Sequence, residues 1–135
     1  MRRNFIMDTI NELTEIVIGL CIQIHRKLGV GLFESVYETV LCYELSKNEI
    51  PFLCQHPLPV YYEDIKMEVG FRADLIIDNK LLIEIKSVEI IAPVHKKQVL
   101  TYLSLANLEI GLLINFNNEL LKNGITRLYN KNYIK

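Results

Sequence analysis

Three residues carry the strongest chemical signal in the sequence: Asp74, Glu84 and Lys86. They lie in two short apolar segments, Arg72-Ala73-Asp74-Leu75-Ile76-Ile77 and Leu82-Ile83-Glu84-Ile85-Lys86-Ser87, with Asp78-Asn79 between them. Both segments alternate as strands do, every second residue sharing a face, and an Asp-Asn pair is a turn signal. On the first strand Arg72, Asp74 and Ile76 should point one way, and Ala73, Leu75 and Ile77 the other. On the second, Leu82, Glu84, Lys86 and Val88 should oppose Leu81, Ile83, Ile85 and Ser87. A loop of Asp78 to Lys80 brings both apolar sets onto one face. That register sets Asp74 opposite Glu84 and Arg72 opposite Lys86, with facing Cβ atoms about 5 Å apart.

Two carboxylates this close repel each other unless positive charge lies between them. A divalent cation is one solution, because Mg²⁺ is commonly held by one or two carboxylates together with waters and phosphate oxygens. Such a site activates water and polarises a phosphodiester. Lys86, two residues from Glu84 on the same face, would orient the water or stabilise charge developing on the phosphate. The bland alternative is a lattice of surface salt bridges among Arg72, Asp74, Glu84 and Lys86, each worth little. Against it, Ile76, Leu82 and Val88 share that face, so a helix should half-cover it, and charges in a half-covered place call for a reason.

The elements that must position these residues follow from periodicity. Ile10, Leu13, Val17, Leu20, Ile24 and Leu28 repeat at helical steps from Asp8 to Leu28, with Asp8 as the expected cap and Gly29 as the stop. After Gly29-Val30-Gly31 a second helix is expected from Phe33 to Lys47, with Val36, Tyr37, Val40, Leu41 and Leu45 as its apolar stripe. Phe52 to Tyr62 reads as a strand, and Pro57 and Pro59 place it at a sheet edge. Strands over Lys66–Ile77 and Lys80–Val88 follow, then a helix opened by Pro93 and running to Ala106. Glu109–Phe116 and Ile125–Tyr129 are the last expected strands. Antiparallel strands followed by a helical crossover imply a mixed sheet with helices on its faces.

Composition bounds the function. The chain has 135 residues, half of them hydrophobic and 23% charged, which fits one globular domain spanning 1–135. A formal net charge of −1 excludes a protein that coats phosphate backbones with its whole surface, so any contact with nucleic acid must be local. Arg26, Lys27, Lys96 and Lys97 are candidates for phosphate contact, although each pair also reads as an ordinary solvated helix surface. Cys21, Cys42 and Cys54 have no CxxC spacing and sit in apolar stretches, as reduced, buried thiols of a cytoplasmic protein would. No run approaches the ~18 apolar residues that span a bilayer.

The split D…ExK string resembles the motif of PD-(D/E)xK nucleases, and the flanking features resemble a narrower group, the bacterial and archaeal GxxExxY proteins. Gly31-Leu32-Phe33-Glu34-Ser35-Val36-Tyr37 fits that name residue by residue. Further matches are Ile24-His25-Arg26-Lys27-Leu28-Gly29, Gln55-His56-Pro57-Leu58-Pro59-Val60, Gln98 with Tyr102-Leu103, and Leu113-Ile114-Asn115-Phe116, so the likeness runs from about residue 8 to 130. The resemblance implies an α/β fold with a restriction-endonuclease-like αβββαβ core, a mixed sheet flanked by helices. It implies Asp74 and Glu84 as metal ligands, the Ile85 carbonyl as a third, Lys86 as the catalytic lysine, and Mg²⁺ or Mn²⁺ as the cofactor.

Glu34 would be an additional helix acid beside the metal, or a first-turn glutamate favoured by the helix dipole. Gln98 and Tyr102, four apart on one helix face, would touch substrate or water, with His95 as a further neighbour, or would form a polar helix edge with Tyr102 in the core. His25 reads as an interior histidine with its hydrogen bonds met. The expected activity is metal-dependent hydrolysis of nucleic acid, DNA foremost, with a homodimer suggested by analogy to restriction-type domains. The alternative from another class is a nuclease-like fold that binds nucleic acid or protein without turnover.

Overall fold

A computed structural model describes residues 9–135, at positions 68 and 69 by backbone alone. The order is α1 (Ile10–Leu28), α2 (Glu34–Lys47), β1 (Phe52–Tyr62), β2 (Ile65–Ile77), β3 (Leu81–Lys86), α3 (Pro93–Ala106), β4 (Ile110–Asn115), a 3₁₀ turn (Leu121–Gly124) and β5 (Ile125–Tyr129). The strands lie in the order β1-β2-β3-β4-β5. All neighbours are antiparallel except β3 and β4, which run parallel because α3 carries the chain back across the sheet. This is the mixed, helix-flanked sheet expected from the element order. The short 3₁₀ turn carries no periodic signal and was not expected.

Two apolar cores sandwich the sheet. On one face Leu75, Ile77, Leu81, Ile83 and Ile85 pack with Leu13, Val17, Tyr37 and Leu41 of α1 and α2. On the other, Ala73, Ile76 and Leu82 pack with Val99, Tyr102 and Leu103 of α3. The β2–β3 register pairs Leu75 with Ile83, Ile76 with Leu82 and Ile77 with Leu81, as the alternation and turn require. Asp78 and Asn79 both take positive φ, and the Lys80 N–H closes the turn on the Ile77 carbonyl.

One expectation is overturned. Strict alternation puts Ala73 on the face of Leu75 and Ile77, yet it lies in the α3 core, and the ring of Phe71 lies against Tyr102 on the same side. The alternation therefore shifts at Asp74. Two local departures accompany the shift. On the neighbouring strand Gln55 takes φ 51°, and the β2–β3 ladder ends at Leu75–Ile83. Arg72 consequently does not face Lys86; it is exposed and pairs with Pro57 of β1.

The helix ends also differ in detail. Asp8, the expected α1 cap, lies outside the described residues; Thr9 caps the helix, its hydroxyl accepting from the Glu12 N–H. Val36 is exposed, while Tyr37, Leu41 and Leu45 form the buried stripe of α2. Cys21 is buried as expected, but Cys42 is only half-buried and Cys54 is exposed on β1.

The elbow between α1 and α2 is held by one buried phenol. Gly29 and Gly31 take φ 72° and 90°, conformations that other residues adopt at a cost. Tyr37, stacked on Phe116 with ring centroids 4.4 Å apart, donates to the Gly29 carbonyl at 2.6 Å and accepts from the Leu32 N–H at 3.3 Å. Tyr37→Phe keeps the stacking but strands both backbone groups. It should lower the unfolding free energy by about 1–3 kcal/mol, read as a lower urea midpoint at unchanged slope. An unchanged midpoint would mean that water replaces the phenol.

Candidate active site

Asp74 lies where β2 leaves the β3 ladder, and the two carboxylates fill the opening. The Asp74 N–H donates to Glu84 Oε1 at 2.9 Å, and the Ile85 N–H donates to Asp74 Oδ2 at 2.8 Å. Side-chain oxygens thus take backbone donors that a continued ladder would give to carbonyls. Glu84 is 4% exposed and projects on the α3 side beside Leu82, while Asp74 also reaches toward α2. Its Oδ1 accepts from Gln55 Nε2 at 3.2 Å, and the same amide donates to Glu38 Oε1 of α2 at 2.8 Å.

Burial raises both acids, and a neighbouring carboxylate adds to the rise of each, Asp74 at Glu84 and Glu38 at Asp74. Burial foremost, then the charge of Asp74, pushes Glu84 up to about 8, against smaller lowering by the Asp74 N–H and by Lys86. Burial also raises Asp74, partly offset by the Ile85 N–H, with the Glu38 charge adding to the rise. Without a cation, the pair shares a proton near neutral pH, since two like charges in a buried place cannot both ionise cheaply. Tyr102 of α3 is raised by burial and then by Glu84, and the Gln98 side chain hydrogen-bonds its hydroxyl.

The structure therefore brings together Asp74, Glu84 and Lys86, with Gln98 and Tyr102 adjoining from α3. Ile85 enters through its amide, which holds Asp74. Glu34 is held at the end of β3, its Oε1 accepting from the Ser87 N–H at 3.2 Å, and among the described residues no three His, Cys, Asp or Glu side chains converge as a metal cage. His95 caps α3, its Nδ1 accepting from the Ala92 N–H at 2.9 Å. His25 is interior, donating from Nε2 to the Asn118 carbonyl at 2.8 Å. The salt-bridge lattice is not formed. Among the described residues the ion pairs are Lys47–Glu44 and Lys80–Asp78.

Two residues of the site were missed by sequence reasoning, Glu38 and Gln55. Glu38 is one turn after Glu34 and so shares its side of α2; that spacing was the available signal. Gln55 lies in the string Gln55 to Val60, but nothing in the sequence encodes the positive φ from which it bonds Asp74.

Residues 11–128 match the family model of the PD-(D/E)XK nuclease superfamily. No curated protein and no solved structure matches the chain. Nucleases of this superfamily generally use divalent metal ions. The donor set fits that requirement: two adjacent carboxyls that retain a proton when no cation is present have the charge and hardness that Mg²⁺ or Mn²⁺ would satisfy.

The raised carboxyl dictates how stability varies with pH. Below about 4.5 the Glu84 carboxyl is protonated in folded and unfolded chains alike. Between 4.5 and about 8 the unfolded chain releases a proton that the folded chain keeps, so stability falls as pH rises, by up to ~1.4 kcal/mol per pH unit. In chelator, urea unfolding from pH 5 to 9 should show this decline, and Glu84→Gln should flatten it. A slope identical in both proteins would place the proton elsewhere.

Proposed function

The chain belongs to the PD-(D/E)XK nuclease superfamily, and we propose that it hydrolyses phosphodiester bonds of nucleic acid, DNA foremost, with a Mg²⁺ or Mn²⁺ ion held by Asp74 and Glu84. Within the superfamily we assign it to the GxxExxY group, on the string Gly31 to Tyr37. The observation that carries the reading is the buried Asp74–Glu84 pair with Lys86 beside it, an arrangement that costs stability and that no packing need explains.

In this reading the Asp74 and Glu84 carboxylates hold the ion, with the Ile85 carbonyl as a third oxygen donor. When bound, the ion would polarise a phosphoryl oxygen and lower the pKa of a water. Lys86 would orient the attacking water and offset the charge that develops on the phosphate. Gln98, fixed by its bond to Tyr102, positions water or substrate at the α3 side. Glu38 and Gln55 hold Asp74 in place from α2 and β1. Glu34 anchors the exit of β3 through Ser87; a ligand role would require it to leave that bond.

Calorimetry with Mn²⁺ tests the ion. The wild type should bind, more tightly as pH rises toward 8 because a proton must leave the pair, and Asp74→Asn should lose binding. Equal heats from the two proteins would remove the ion from Asp74. Glu34→Gln should bind normally if Glu34 is an anchor and weakly if it is a ligand.

Turnover separates an enzyme from a binding module. Lys86→Ala should fold, bind metal and nucleic acid, and cleave about 10²–10³-fold more slowly, because its charge acts on the transition state. Melting, DNA binding and Mn²⁺-dependent cleavage, measured side by side, decide it. A wild type that binds DNA yet never cleaves would make the protein a silent binding module. Equal cleavage by both proteins would remove Lys86 from the chemistry.

A further inference from the structure

Phe33 occupies the N-cap of α2 and makes no side-chain cap hydrogen bond, although Ser, Thr, Asp or Asn there would stabilise the helix. It is also 82% exposed, so neither the helix nor the core explains a phenylalanine at this position. Nor does it ride on a loose loop. The preceding Leu32 is fixed by its N–H to the Tyr37 hydroxyl and by its carbonyl to Ser87 Oγ at 2.7 Å. The Phe33 carbonyl accepts from Val36, and Glu34 takes the Ser87 N–H. A rigid backbone thus presents an aromatic face to solvent.

Beside it lies a cleft of about 630 Å³, lined among others by Phe33, Glu34, Ser35, Ser87 and Asn117. Its size falls within the ~300–1,000 Å³ of small-ligand sites. The cleft begins one residue after Lys86, since Ser87 belongs to its wall. Among the described residues no cationic side chain lines it and one carboxylate does, which disfavours a phosphate as occupant. An aromatic face, an amide, two hydroxyls and a carboxylate instead match the stacking surface and edge of a neutral base. Such groups read unstacked bases by stacking and by hydrogen bonds to their edges. Carboxylates accept from an exocyclic amino group such as that of cytosine. Glu34 Oε1 is engaged by Ser87, and its second oxygen can serve that role.

We propose that this cleft receives an unpaired nucleobase of the substrate strand, stacked on Phe33 and contacted at its edge by Glu34, Ser35 and Asn117. The assignment rests on the reading of the protein as a nuclease. It names the substrate class as single-stranded or locally unpaired nucleic acid, and it accounts for binding by a chain of net charge −1, because stacking needs little phosphate neutralisation.

The test uses a short single-stranded DNA carrying 2-aminopurine, and the same strand annealed to its complement, titrated with wild type, Phe33→Ala and Phe33→Tyr. Wild type should quench the single strand and bind it more tightly than the duplex. Phe33→Ala should abolish the quench and raise the single-strand Kd about tenfold, and Phe33→Tyr should restore both. Mn²⁺-dependent cleavage of the same DNAs is measured in parallel. Equal affinity of wild type and Phe33→Ala for the single strand, with cleavage intact, would overturn the base site and leave the nuclease reading standing. Absence of both binding and cleavage with wild type would overturn both. A dimer seen in sedimentation that Phe33→Ala dissociates would assign the side chain to self-association and overturn the base site.

Discussion

The exchange of backbone hydrogen bonds for carboxylates between β2 and β3 is the interaction on which the site depends. A ladder continued past Leu75–Ile83 would bury the backbone of Asp74 and Ile85 in carbonyl partners and leave no opening. Instead Glu84 takes the Asp74 N–H and Asp74 takes the Ile85 N–H. The same two bonds hold the strands together and aim the acids. An apolar residue at Asp74 would orphan the Ile85 N–H as well as delete a charge, a cost of about 1–3 kcal/mol for the donor alone. Amide replacements, which preserve shape and an acceptor oxygen, are therefore the informative variants here.

Around that opening the chain is unusually well tied. Beyond Lys86, β3 ends in a set of bonds from three directions. The Phe116 N–H reaches the Lys86 carbonyl at 2.9 Å. The Asn115 side chain clamps both the N–H and the carbonyl of Val88. Ser87 is held by Leu32 and Glu34 from the elbow. The lysine is thereby fixed at its backbone by the end of β4 and the start of α2, a rigidity that would serve the role proposed for it. Asn115 is buried, and both of its polar atoms are satisfied by this clamp, so its place beside Lys86 in the β3–β4 register is structural in kind.

The sequence disclosed the register because period-two alternation and a turn of defined length determine it together. Helices α1 and α3 were legible for similar reasons, and α3 was bounded correctly by Pro93 and Ala106. The shift of face at Asp74 was not legible. It accompanies a glutamine at φ 51°, and no residue-type rule marks Gln55 for that conformation. For the same reason Ala73 was assigned to the wrong core, and Cys54, adjoining the irregular stretch, was read as buried when it is exposed and donates to Glu38. That Glu38 meets Gln55 while Glu34 meets Ser87 depends on how α2 is rotated over the sheet. An apolar stripe sets that rotation only coarsely, because helical neighbours four apart share one side.

The energetics of the pair and its chemistry are two aspects of one arrangement. Burying Glu84 beside Asp74 raises its carboxyl to about 8, so at neutral pH the folded chain holds a proton that its unfolded form would release. That uptake marks a site poorer in positive charge than its acids require. The nearby cation, Lys86, lowers Glu84 less than burial and Asp74 raise it, so it does not balance the pair. Had the pair been structural, a full ion pair with Arg72 or Lys86 would have been the cheaper solution, and the described residues form none. The imbalance is instead met by a proton, and under the proposed function a metal ion would meet the same demand. In the proposed reading the same demand would be met by either, and a metal ion would displace the proton more readily as pH rises.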